Sequence, residues 1–126
     1  MGTGGFIPHI CIGNRDEGCV FTIIANELDT YADLMAERLV VLGGVALGTA
    51  RVAAEQSRLL EYPRDIAAGD AHVLALAERF AYYTTAVRDA IAHAADVGDA
   101  DTAAVYTDIS RGVDKRLQGL EAHLHQ

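Results

Sequence analysis

Residues 28–44 read Leu28-Asp29-Thr30-Tyr31-Ala32-Asp33-Leu34-Met35-Ala36-Glu37-Arg38-Leu39-Val40-Val41-Leu42-Gly43-Gly44. Apolar side chains recur at Leu28, Tyr31, Ala32, Met35, Leu39 and Leu42, the spacing of one face of a helix. Asp33 and Glu37 stand four residues apart in that helix, so their carboxylates share a face. Their repulsion is small, about 0.2–0.5 kcal/mol, and it vanishes when a cation lies between the oxygens. Carboxylate oxygens with room for water suit hard and borderline metals, iron among them. The same spacing is common on solvent-facing helices, so alone it does not define a metal site.

A chain of 126 residues suffices for one domain with a single core. With 51% hydrophobic residues, only two prolines and no tryptophan, the composition favours packed helices over sheet. The formal net charge is −8 and the ten basic residues are scattered, so phosphate backbones are repelled and direct DNA binding is not expected. Cys11 and Cys19 match no standard zinc spacing and are expected to be free thiols in a reducing compartment. The longest apolar run, Leu39–Gly48, holds ten residues and three glycines, against about 20 residues for a membrane span. No basic segment precedes an apolar one at the amino terminus, so no signal peptide is read and the cytoplasm is expected.

Residues 1–21 differ from the rest. Gly2, Gly4, Gly5, Pro8, Gly13 and Gly18 break any helix, and the segment is expected to be irregular. A first helix is predicted from about Phe21 to Leu42. A bend at Gly43-Gly44 should follow, then another turn or two near Arg51–Ser57. A second helix is predicted from Gly69-Asp70 to about Ala95, with Asp70 as its N-cap and a stripe including Val73, Leu74, Phe80 and Val87. A third runs from about Asp99 or Asp101 to Leu124, with Ile109, Val113 and Leu120 on its apolar face. Three such helices pack as antiparallel neighbours.

The segment Asp33-Leu34-Met35-Ala36-Glu37-Arg38, followed by Leu42-Gly43-Gly44-Val45-Ala46-Leu47-Gly48-Thr49, resembles the Dps family. The likeness continues through Tyr62-Pro63, Asp65-Ile66, Thr107-Asp108-Ile109-Ser110-Arg111, Asp114-Lys115 and Leu120-Glu121-Ala122-His123-Leu124. It covers residues 23–125. The resemblance implies an all-α, ferritin-like helical bundle that binds, oxidises and stores ferrous iron and so protects the cell from peroxide, and DNA indirectly. It implies a homo-oligomer through a two-fold interface, a dodecamer in the family's shell. Asp33 and Glu37 match the family's Asp and Glu iron ligands. Asp96, Asp99 and Asp101 match in character the acidic residues that line the family's ion-entry pores, although three carboxylates in a loop are ordinary and helix capping with solubility is the simpler account. The family's connection carries a short helix, expected here around Arg64–Ala67.

The chain also departs from the family. In the family a His on the first bundle helix, within a His-Trp signature, and a His-x-x-x-Asp turn at the start of the next helix complete the iron site across the two-fold axis; the first is not found here, and about four helical turns upstream of Asp33, where the second should lie, stand Gly18 and Thr22. Gln118 stands where the family often has Trp. The lysine-rich tail that some members use to hold DNA is absent. The expected fold is therefore an incomplete bundle: three main helices, a short connecting helix and an irregular segment over 1–21 in place of the usual amino-terminal third, as a shifted reading frame or truncated gene would leave. Loss of one helix should expose apolar stripes on its neighbours. Activity is expected to be reduced, and a non-catalytic helical oligomerisation module is the alternative. No Glu-x-x-His pair occurs, which argues against an intrachain di-iron bundle.

Overall fold

The computed structural model describes residues 19–125. They form α1 (Val20–Val41), α2 (Ala50–Gln56), α3 (Gly69–Asp96) and α4 (Ala100–Leu124), with no strand among the described residues. This is the expected all-α architecture of three main helices and a short connecting one. The irregular segment predicted over 1–21 falls almost wholly outside the described residues. Val20 and Phe21 are already helical, because Val20, Ile24 and Glu27 continue the packing face upstream. Cys19 occupies the N-cap position and is disulfide-bonded, so the expectation of free thiols fails there.

Two helices end in the same way. Gly43 (φ +88°) donates to Val40 O at 2.9 Å and Gly44 donates to Leu39 O at 2.9 Å. Gly98 (φ +78°) donates to Ala95 O at 3.0 Å and Asp99 to Ala94 O at 2.9 Å. Each glycine takes the left-handed conformation that a side chain would disfavour, and each pair of bonds satisfies carbonyls left over at a helix end. After Gly44 the chain bends through coil and resumes as α2, as expected. Thr49 caps it, its hydroxyl accepting from Val52 N at 3.3 Å.

Residues 64–67, expected to be a short helix, are coil. Pro63 lacks an N–H and biases Tyr62 away from helix. Side chains fix this coil to α3 instead. The Tyr62 hydroxyl lies 2.8 Å from His72 Nδ1, the Arg79 guanidinium sits 5.6 Å from the Tyr62 ring centre, and Arg79 donates to Glu61 O at 2.5 Å. α3 begins one residue before the predicted cap. Asp70 therefore lies in its first turn, where an anion meets the positive end of the helix, and Ala68 is the N-cap.

α3 and α4 form an antiparallel hairpin. Arg88 meets Asp114 at 3.1 Å, and His123 lies 3.5 Å from Asp70 at the far end. Val73, Phe80 and Val87 pack against Ile109, Val113 and Leu120 in the core. Leu74, predicted in the stripe, is 50% exposed because it lies about 100° around the helix from Val73. α1 lies antiparallel along α4. Arg38 near its end contacts the start of α4, and Glu27 near its beginning contacts Arg116. A Cβ on Gly112 would fall 1.8 Å from the Tyr31 hydroxyl, so glycine there permits the approach of the two helices. α1 is thus parallel to α3, and residues 42–68 carry the chain back along the bundle.

The apolar stripe of α1 is only half used. Tyr31 and Met35 pack towards the core and Ile24 is buried, while Leu28, Leu39 and Leu42 remain 37%, 43% and 56% exposed. Exposed apolar residues continue through Val40, Val41, Val45 and Leu47. No helix among the described residues is long and apolar enough to cross a membrane.

Candidate metal-binding site

α1 presents Asp33 and Glu37 on one exposed face, one turn apart. Tyr31 and Met35 point to the core, and Asp33 lies between them in sequence, so its side chain leaves the helix on nearly the opposite side. Neither Asp33 nor Glu37 has a hydrogen bond or ion pair among the described residues. Two unneutralised carboxylates on a regular helical face offer oxygen donors for a cation, with the remaining positions left to water or another chain. Among the described residues no three His, Cys, Asp or Glu side chains come together as a metal-binding group.

The acidic loop is built differently. Asp99 is the N-cap of α4: its Oδ1 accepts from Thr102 N at 3.0 Å and its Oδ2 from the Thr102 hydroxyl at 2.5 Å. Arg38 donates to Asp99 Oδ1 and to the Thr102 hydroxyl, both at 2.9 Å. The Thr102 hydroxyl, then its backbone N–H, then Arg38 hold the Asp99 carboxyl below the ordinary aspartate range. Asp96 closes α3 and Asp101 lies exposed in the first turn of α4. The three aspartates are neighbours in the chain, but Asp99 is committed to capping and to Arg38.

At the other end of the α1–α4 contact, Arg116 donates to Glu27 at 2.7 Å, and Glu27 also accepts from the Tyr31 hydroxyl at 3.4 Å. Burial, then the Glu27 charge and hydrogen bond, push the Tyr31 phenol above its ordinary range, with Arg116 opposing. Sequence reasoning missed Arg38, Thr102, Glu27 and Arg116. Asp99-x-x-Thr102 was recognisable as a cap, but the partners of Arg38 and Arg116 lie 61 to 89 residues away. A cleft of about 100 Å³ opens beside Arg38, lined by Met35, Leu39, Leu42, Thr102, Val105 and Tyr106. Its lining is largely apolar and holds neither Asp33 nor Glu37.

The ferritin-like domain model matches residues 20–126. The chain therefore belongs to the ferritin-like family. It is 40% identical over 100 residues to the DNA protection during starvation protein of Agrobacterium fabrum, a match covering 79% of this chain and 62% of that protein. The chain thus spans less than two thirds of the length of the curated relative it matches. The structure superimposes on the crystal structure of Dps from Staphylococcus aureus with a TM-score of 0.77 and 27% identity, covering 82% of this chain and 69% of that one. The resemblance to the Dps family drawn from residues 23–125 is borne out by these relatives.

Proposed function

We propose that the protein takes part in iron-dependent protection against peroxide, with ferrous iron as the substrate that Asp33 and Glu37 engage. The observation that carries this reading is the exposed, unneutralised Asp33/Glu37 pair on α1 of a ferritin-like chain. By resemblance to the family, these carboxylates supply one half of a site shared across a two-fold axis, in a homo-oligomer that reaches a dodecamer if the shell is kept. The chain's own contribution is to bind and orient the metal through carboxylate oxygens. Imidazoles normally raise affinity and tune the redox step, so iron oxidation by this half-site should be slow. Asp96 and Asp101 supply negative charge where ions enter, with Asp99 held by Arg38. The charge of −8 disfavours direct DNA binding, so any protection of DNA is indirect. The cytoplasm is the proposed compartment.

The absence of a third donor near Asp33 and Glu37 among the described residues favours a second reading. In it the chain is a non-catalytic helical oligomerisation module. Iron(II) and peroxide distinguish the two when oxidised iron is followed in the ultraviolet. The first reading expects slow oxidation that Asp33→Asn with Glu37→Gln abolishes. Oxidation that survives this double substitution places the chemistry elsewhere, and none in the wild type supports the module.

A further inference from the structure

We propose, on the iron reading above, that Tyr31 is an electron donor to peroxide reduction at Asp33 and Glu37, with the Glu27 carboxylate taking the phenolic proton. The chain has five tyrosines and no tryptophan, so phenols are its most oxidisable aromatic side chains. A phenol that loses an electron becomes a strong acid, so oxidation is favoured where a base lies within hydrogen-bond reach. Two of the five have such a base. The Tyr31 hydroxyl donates to Glu27 Oε2 at 3.4 Å, and the Tyr62 hydroxyl lies 2.8 Å from His72 Nδ1. Tyr83 and Tyr106 also pack against the core, but neither hydroxyl has a hydrogen-bond partner among the described residues.

Charge and position choose between the two. Beside Tyr31, Arg116 donates to Glu27 Oε1 at 2.7 Å, so its charge is matched and the second carboxylate oxygen is left for the phenol. Beside Tyr62, the Arg79 guanidinium sits 5.6 Å from the ring centre and donates only to the carbonyls of Ala75 and Glu61, so an unmatched cation opposes electron loss. Tyr62 is carried by coil fixed to α3, whose backbone α1 does not approach. Tyr31 stands on α1 itself, two residues from Asp33 and six from Glu37. It leaves the helix nearly opposite Asp33, and a helix is about 10–12 Å across, so the electron crosses little more than one helix.

The electron count gives the donor its use. Peroxide takes up two electrons, whereas a single ferrous ion on the Asp33/Glu37 half-site gives one. Without a second donor the O–O bond breaks to hydroxide and free hydroxyl radical. With Tyr31 it breaks to two hydroxide ions, as iron goes from ferrous to ferric and the phenol to a neutral phenoxyl radical. The phenolic proton ends on Glu27. Burial, then Glu27, keep the phenol protonated until that moment, so electron and proton leave together.

Rapid freezing of the full chain after mixing with iron(II) and peroxide, read by electron paramagnetic resonance, tests this while iron oxidation is followed in the ultraviolet. The wild type should show a phenoxyl signal that ring-deuterated tyrosine narrows. Tyr31→Phe should remove most of that signal and raise spin-trapped hydroxyl radical severalfold, whereas Tyr62→Phe should change neither. Glu27→Gln should slow radical formation about a hundredfold, the effect of losing a proton acceptor, and Glu27→Asp should recover part of it. Iron oxidised with no phenoxyl signal would overturn the proposal and leave the iron reading standing; no iron oxidation at all removes both. A signal that survives Tyr31→Phe, or that Tyr62→Phe removes, would also overturn it. The wild type with and without deuterated tyrosine decides whether a phenol is oxidised even if the variants fail to fold.

Discussion

α1 is no poorer in apolar residues for its length than the two helices of the α3–α4 hairpin, yet the two regions use them differently. In α3 the line Val73, Ala77, Phe80, Thr84 and Val87 is buried on one side by α4. In α1 an equally regular line spreads its residues between α4 and open surface, so Leu28, Leu39 and Leu42 stay exposed. A sequence period shows that a face is apolar. It does not say how many neighbours exist to cover it, and stability depends on the neighbours.

The sharpest way to break this contrast is to cut one buried isoleucine in each region. Ile109→Ala removes a fully buried side chain and should cost about 2–5 kcal/mol in urea denaturation. Ile24→Ala should instead be felt within α1, leaving exchange in residues 76–87 close to wild type. Matching losses in both regions would show that α1 belongs to the same cooperative unit.

A smaller effect is expected at the helix contact itself. Gly112→Ala drives a methyl group into the Tyr31 hydroxyl. Overpacking of this kind costs roughly 1–3 kcal/mol. It should appear as faster exchange in α1, and Tyr31→Phe in the same background should recover part of the loss. No recovery would mean that the methyl group meets something other than the phenol.

The smallest effect concerns acid. In the folded protein the Asp99 carboxyl is held below the ordinary aspartate range, chiefly by the Thr102 hydroxyl. The unfolded state therefore takes up the proton first as pH falls. The contribution is complete above the unfolded value and is lost as pH drops through the lower, folded one. Melting temperature followed from pH 5 to pH 2 should fall less steeply for Asp99→Asn than for wild type. Identical slopes would remove Asp99 from the acid response.

The extents of α3 and α4 were legible in the sequence to within one or two residues, because period, capping residues and Gly98 agree. The break at Gly43-Gly44 was legible for the same reason. The helix expected at 64–67 was not there, since the interactions that hold that coil come from His72 and Arg79 on α3, beyond any local signal. Asp33 and Glu37 could be picked out from spacing and family text together. The pairings of Arg38 and Arg116 could not, because a single arginine does not reveal which distant carboxylate the fold will bring to it.

The antiparallel seat of α1 on α4 has a consequence for synthesis. α1 leaves the ribosome before its docking partner α4, with α2 and α3 made between them. At about 5–20 residues per second, the interval between Val41 and Arg116 is roughly 4–15 s. Throughout it, Ile24, Tyr31 and Met35 have no finished surface to meet, whereas α3 finds α4 as soon as the next turn of chain appears. The nascent chain thus carries the docking face of α1 uncovered through the making of α2 and α3, a natural point for a chaperone to grip.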